Sequence, residues 1–173
     1  MDQVDRILAQ WARERADLDV SPMGVIGRLS RLTRFMERSL EHNYTHFGLT
    51  GWTFDVLATL RRAGPPYQLS PTDLFTEMMV TSGTMTNRID RLEAAGLVTR
   101  LLDPRDRRGV LVELTPQGFE LIERAVQAHV AYEAQLLRRL SAEEQALLAG
   151  LLRRLLESFE SRSEEEQPEA HGT

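Results

Sequence analysis

Hydrophobic positions along most of the chain recur every three to four residues, the spacing of helices with one buried face. Val4, Ile7, Leu8 and Trp11 make such a stripe within residues 2–16, and Asp17 to Val20 interrupts it. Ser21-Pro22 then predicts an N-cap with proline at the first helical position. The long helix that follows carries Val25, Ile26, Leu29, Leu32, Phe35, Met36 and Leu40 on one face. It is expected to end near Phe47-Gly48, where glycine accepts the left-handed C-cap conformation. Thr50 caps a third helix with Phe54, Val56, Leu57 and Leu60 inward, stopped by Ala63-Gly64-Pro65-Pro66. Ser70-Pro71-Thr72-Asp73 combines a cap, a proline and an acidic third position, so a short helix through Leu74, Phe75, Met78 and Met79 is expected. Thr81-Ser82-Gly83 turns into another helix from about Thr84 to Ala95, closed by Gly96.

The period then changes. Leu97 to Leu102 and Val110 to Leu114 read as two strands, joined by the turn-rich, charged segment Asp103-Pro104-Arg105-Asp106-Arg107-Arg108-Gly109. Together they predict a β-hairpin with a basic tip. Thr115-Pro116 opens a long helix to about Leu140. Ser141-Ala142-Glu143-Glu144 is a capping box for a last helix bearing Leu147, Leu148, Leu151, Leu152, Leu155 and Leu156. From Ser161 the chain is polar and acidic, as expected of a disordered tail. The fold class is therefore mainly α with a small β-hairpin wing, in the order of a winged helix-turn-helix.

Composition narrows the chemistry. The 173 residues suffice for one domain with a sizeable core, and 42% hydrophobic with 27% charged is ordinary for a soluble protein. There is no cysteine, which excludes disulfides, thiolate zinc sites and a thiol-based redox sensor. No apolar run nears the roughly 20 residues that span a bilayer, and the amphipathic start MDQVDRILAQWARER is not signal-like, so a cytoplasmic location is expected. The net charge of −5 is confined to the end: residues 157–173 hold six glutamates against Arg162. The body is formally neutral, and its basic side chains other than histidine are all arginine. Arginine suits phosphate and guanine because its planar fork donates two hydrogen bonds at once.

In a helix-turn-helix the second helix enters the major groove, and a hairpin directly after it reaches the flanking minor groove or phosphates. The candidate reading elements are Ser82, Thr84, Thr86, Asn87, Arg88 and Arg91 around the start of that helix. Arg105, Arg107 and Arg108 stand at the hairpin tip, with Asp103 and Asp106 fixing the turn. On composition alone, Arg-rich turns are more often merely solvated surface. No phosphate-cradling glycine loop, nucleophile elbow or metalloprotease helix is present, so no enzymatic activity and no cofactor are expected. His42 and His46 stand four apart, but with no third ligand they read as surface or interface histidines rather than a metal site. Tyr44, Tyr67 and Trp52 read as packing residues.

From about residue 25 to 140 the chain resembles the MarR family of bacterial regulators. The resemblance rests on Asp103, Arg105, Asp106 and Arg108 in D-P-R-D-R-R, and on Leu111, Leu114, Thr115 and Gly118 in L-V-E-L-T-P-Q-G. Asn87 to Val98, N-R-I-D-R-L-E-A-A-G-L-V, resembles the family's recognition helix and its exit. It implies a homodimer on double-stranded DNA, with residues 1–48 giving dimerisation and a ligand pocket and 49–115 the DNA-binding lobe. Residues 116–160 would complete the dimer, followed by the tail 161–173. A pseudopalindromic target would be met by two recognition helices about 34 Å apart.

A narrower resemblance, to the urate-responsive branch, comes from the N-terminal helix bearing Trp11 followed by S-P-M-G-V-I-G-R-L-S-R-L. It implies that Trp11, Asp55 and Arg88 line or gate a pocket for a small anionic aromatic such as urate. Trp11 would stack on the ring, and Asp55 would hold Arg88 until the ligand breaks that ion pair. Other phenolic or aromatic acids, or a helical scaffold that does not bind DNA, are the alternatives. Ordinary packing of Trp11 and a purely structural Asp55–Arg88 pair are the plainer readings.

Overall fold

The computed structural model describes residues 1–78, 85–106 and 109–165, the side chains of 85, 86 and 162–165 excepted. Ten elements follow one another: α1 (Gln3–Glu14), α2 (Ser21–Thr45), α3 (Gly51–Arg62), β1 (Gln68–Leu69), α4 (Pro71–Met78), α5 (Met85–Ala94), β2 (Val98–Leu102), β3 (Val110–Leu114), α6 (Pro116–Leu137) and α7 (Ala142–Glu165). Met1–Val130 forms one unit and Ala131–Thr173 a second.

The helix ends follow local chemistry. Thr50 and Thr53 exchange side-chain-to-backbone hydrogen bonds at the start of α3. At α4 the Asp73 N–H donates to the Ser70 hydroxyl, which itself donates to the Asp73 carboxylate, and Ser141 and Glu144 exchange side-chain-to-backbone hydrogen bonds at α7. Gly48, Gly64 and Gly96 take positive φ beyond α2, α3 and α5, where a Cβ would be strained. One expected cap differs. Ser21 is already the first residue of α2, and the apolar side chain of Val20, the N-cap, makes no capping hydrogen bond. Asp19 does the work instead, its carboxylate accepting the Ser21 N–H at 2.9 Å, because a carboxylate is also favoured by the positive helix end.

The core of the first unit is the apolar face of four helices against a small sheet. Val56, Leu57, Leu60, Leu74, Ile89, Leu92, Val98, Val112 and Ile122 are fully enclosed, each such side chain contributing about 1.5–3 kcal/mol over an exposed one. β2 and β3 pair antiparallel from Val98↔Leu114 to Leu102↔Val110, the expected hairpin. β1 pairs on the other side of β3 through Gln68↔Glu113 and Leu69↔Val112, making a three-stranded sheet in the order β1-β3-β2. Arg61 fastens α3 to α6: it binds Glu123 at 2.5 Å and lies over the rings of Tyr67 and Phe119 at 5.1 and 4.9 Å.

The junction from α5 to α6 is tightly packed. Thr115 N–H donates to the Leu97 carbonyl at 3.1 Å, and its hydroxyl donates to the Gly96 carbonyl at 2.7 Å. The Gly118 N–H donates to that hydroxyl at 3.0 Å. A Cβ on Gly118 would stand 2.0 Å from the Leu97 carbonyl oxygen, so only glycine fits. In the second unit, Gln145 on α7 donates to the carbonyls of Leu137 and Leu140, closing the turn between α6 and α7.

Gly118→Ala is expected to lower unfolding stability by about 2–3 kcal/mol, the cost of overpacking against backbone that cannot yield. Urea denaturation monitored by circular dichroism measures it, and a loss below experimental error would show that the α6 start can slide.

Candidate nucleic-acid interface and adjoining cleft

Successive residues of a helix advance by about 100°, and on α5 this sorts the side chains into four faces. Ile89 and Leu92 point into the core and are 2% exposed. Asn87, Arg91 and Ala94 stand opposite them, open to solvent. Asp90 and Glu93 occupy one flank, where Arg100 of β2 reaches both carboxylates: its guanidinium binds Asp90 at 2.5 Å and Glu93 as well, and its N–H donates to Glu93 at 3.0 Å. Arg88 occupies the other flank, its guanidinium 4.8 Å from the centre of the Trp52 ring on α3. The outward face is thus presented by a helix held on both sides.

At the hairpin tip, Asp103 accepts the Arg105 N–H at 2.8 Å, and the Gly109 N–H donates to the Asp106 carbonyl at 2.8 Å. Arg105 is exposed beyond this turn. Ser82, Thr84, Arg107 and Arg108 lie outside the described residues, and Thr86 is described only as backbone of α5.

A cleft of about 680 Å³ lies beside α5, lined by Glu41, Thr50, Trp52, Thr53, Asn87, Arg88 and Arg91. Glu41 accepts the Gly51 N–H at 2.8 Å, tying the end of α2 to the start of α3 at the cleft wall. The expected trio of Trp11, Asp55 and Arg88 is not gathered there. Trp11, 41% exposed on α1, lies in a shallow depression with Gln10, Arg13 and Glu14. Asp55 lines a different cleft, between α3 and α4, with Thr59, Arg62, Glu77 and Met78. No Asp55–Arg88 ion pair occurs among the described residues; Arg62 and Glu77 form the pair in the Asp55 cleft, at 2.9 Å. The reason is geometric: Trp52, one turn before Asp55 along α3, is the residue of that helix that faces Arg88.

Desolvation raises the Asp55 pKa above its ordinary value; the nearby positive charge of His129 opposes this and the Glu41 carboxylate adds to it. His129 also meets the buried Tyr44, its Nδ1 3.1 Å from the phenol oxygen, and Tyr44 stacks on Phe54 at 4.4 Å. Tyr44 and Tyr67 are therefore packing residues, whereas Trp52 packs on the core and also carries a cation. His46 Nδ1 lies 3.0 Å from the His42 carbonyl of its own helix.

This geometry can be set against known proteins. Residues 47–109 match a model of the MarR family. The HTH-type transcriptional regulator PecS of Dickeya dadantii is 44% identical over 88% of this chain and 92% of its own. The chain belongs to the MarR family. The multiple antibiotic resistance protein MarR of Salmonella typhimurium is a further MarR-family relative, 35% identical over 76% of this chain and 90% of its own. Among solved structures, AbsC, a MarR family transcriptional regulator from Streptomyces coelicolor, superposes with a TM-score of 0.75 at 26% identity, covering 83% of this chain and 97% of that one. A mutant MarR from E. coli complexed with operator DNA gives 0.68 at 32% identity, covering 78% and 94%. The fold is accordingly a winged helix-turn-helix, with α4 and α5 its helical pair and β2–β3 its wing, and its relatives are transcriptional regulators rather than enzymes. No helix among the described residues is long and apolar enough to cross a membrane.

Two consequences of this geometry can be measured. Arg100→Met should cost at most about 1 kcal/mol of stability, because Asp90 and Glu93 stay partly solvated, and should weaken operator binding severalfold. Anisotropy titration at conditions where the variant is fully folded separates the two, and unchanged affinity would show that the Arg100 flank does not set the pose of α5. Because the folded-state pKa of Asp55 is raised, the folded chain holds that proton more tightly, and stability falls as pH rises from the ordinary Asp pKa through the raised one. Asp55→Asn is thus expected to raise the melting temperature at pH 7, with the gain fading at acidic pH where Asp55 is protonated in both states.

Proposed function

We propose that this MarR-family regulator binds a pseudopalindromic operator as a homodimer, acts as a repressor, and is released by a small anionic aromatic such as urate. The observation that carries the reading is the double membership of Arg88, which belongs both to the recognition helix α5 and to the cleft against Trp52. A ligand that engages this guanidinium acts directly on the element that reads DNA, which is the differential contact that couples two binding events.

Asn87 and Arg91 on the outward face of α5, with Arg105 on the wing, are assigned to base edges and phosphates. Ser82, Thr84, Thr86, Arg107 and Arg108 are assigned there by position in the sequence. The homodimer is supported by apolar faces left open on the single chain: Val25, Ile26 and Phe35 on α2 are 57–58% exposed, and Leu147 and Leu156 on α7 are 66% and 57% exposed. Surfaces of this kind mark interfaces. Trp11 and Asp55 are assigned to the effector response by resemblance; since each lines its own depression in one chain, this role requires a second copy or a shift of the helices.

The experiment is a gel shift on DNA immediately upstream of the gene for this protein, with and without urate. Binding whose logarithm falls linearly with the logarithm of salt is expected, with a slope near −0.9 per phosphate contact, and urate should reverse it. Binding that urate and salicylate leave unchanged would remove the effector and keep the regulator. No binding at low salt would favour a distant operator or a scaffold. Trp11→Phe should raise the urate concentration needed for release; an unchanged response takes Trp11 out of the site.

A further inference from the structure

We infer that Arg61 is a positioning residue for operator recognition, a clamp that sets the angle between the DNA-binding lobe and α6 and so the half-site spacing the dimer accepts; this rests on the homodimer reading above. Two arginines end α3 and take different partners. Arg62 donates to the Glu77 carboxylate at 2.9 Å and to the Glu77 carbonyl, so α3 carries α4 with it. Arg61 crosses to α6 instead. Its Nε donates to Glu123 at 2.5 Å, and its guanidinium carbon stands 5.1 Å from the Tyr67 ring centre and 4.9 Å from that of Phe119. Phe119 and Glu123 stand four apart and share one flank of α6. Tyr67 takes a φ of 62°, an uncommon conformation for a residue with a Cβ, and its carbonyl accepts the Leu114 N–H at 3.2 Å at the end of β3. The turn that bears it is thereby tied to the sheet, and its ring centre lies 5.0 Å from that of Phe119.

Gly118 against Leu97 fixes where α6 meets the lobe, but contact at one place fixes position and not direction. Ile122 adds apolar burial, which is favourable but non-directional. Arg61 supplies the directional contact, at Glu123, five residues beyond Gly118 and about 7.5 Å further along the helix. A slip of about 1 Å would break that hydrogen bond, and over this lever it corresponds to a turn of about 8°. Two recognition helices on successive major grooves stand about 34 Å apart, each about 17 Å from the two-fold axis. A turn of about 8° carries each by up to about 2 Å and changes their separation by up to about 4.5 Å. One base-pair step is about 3.4 Å. The clamp therefore separates a dimer that accepts one spacing from a dimer that tolerates the neighbouring ones.

The pair is better suited to setting an angle than to holding the fold. Its side chains are 34% and 48% exposed, and exposed ion pairs contribute little to stability. What the arginine adds is geometry: a planar, permanently charged group that lies against rings while its Nε–H is aimed at a carboxylate. Loss of the clamp leaves the outward face of α5, and with it the half-site sequence and the phosphate contacts, as they are.

Selection of bound duplexes from a random pool, followed by sequencing, tests this with the full-length protein, because it reads half-site and spacing together. Wild-type protein should recover two inverted half-sites at one spacing. Arg61→Met should recover the same half-sites over spacings one base pair longer and shorter as well, with the wild-type salt slope. In titrations on those duplexes its preference for the wild-type spacing should fall roughly three- to tenfold, since two clamps act per dimer and each exposed pair accounts for at most about a fivefold ratio. Should Arg61→Met fail to fold, Glu123→Gln, which removes only the charge, decides by the same readout. Folded Arg61→Met protein that keeps the single spacing overturns the inference and leaves the homodimer reading intact. So does an altered half-site sequence, which would place the effect of Arg61 on α5 itself. Wild-type protein that is monomeric, or that recovers no paired half-sites, removes the homodimer reading and the clamp with it.

Discussion

The burial of Ile89 and Leu92 is the constraint on which the DNA-reading surface depends. Two side chains, each 2% exposed, fix the axis of α5 to the core, yet a buried edge alone leaves a helix free to roll about that edge. Rotation is prevented by different chemistry on each side. On one flank Arg100 donates to two carboxylates, a charge-assisted and geometrically specific contact. On the other, Arg88 lies over an indole, which is a softer and less directional contact. The asymmetry gives the helix a firm side and a yielding side, and the cleft opens on the yielding one.

Much of this was legible in the linear pattern because helices and hairpins announce themselves through period and caps. The Thr50, Ser70 and Ser141 caps, the Gly48 and Gly96 exits and the β2–β3 hairpin all follow from residue types that have few other uses. The D-P-R-D-R-R and L-V-E-L-T-P-Q-G motifs carried the family. β1 was not legible, since two residues cannot display a period of two, and its pairing exists only because β3 offers a free edge beside Gln68 and Leu69. The Ser21 cap was misplaced by a turn's chemistry because Asp19 competes for the same role two residues earlier.

The candidate site was legible in its parts and not in its assembly. Arg88 and the outward face of α5 follow from helical phase. The partner of Arg88 does not, because Asp55 and Trp52 sit on neighbouring turns of one helix and only the crossing of α3 with α5 selects between them. A carboxylate is the more natural guess for an arginine. The clue in the sequence was that Trp52 continues the Val56–Leu60 row one turn beyond the fully buried stretch of α3, where a large ring is half-buried against the core.

The fit of Gly118 against Leu97 gives the molecule a fulcrum. With no side chain between them and three hydrogen bonds around them, the exit of α5 and the entry of α6 can move only together. Within the same unit α6 continues from that point to Val130, about 18 Å at 1.5 Å per residue. A tilt of about 5° at the fulcrum carries that stretch of α6 by about 1.6 Å. Any roll of the recognition helix is thereby magnified along α6 rather than absorbed at its root.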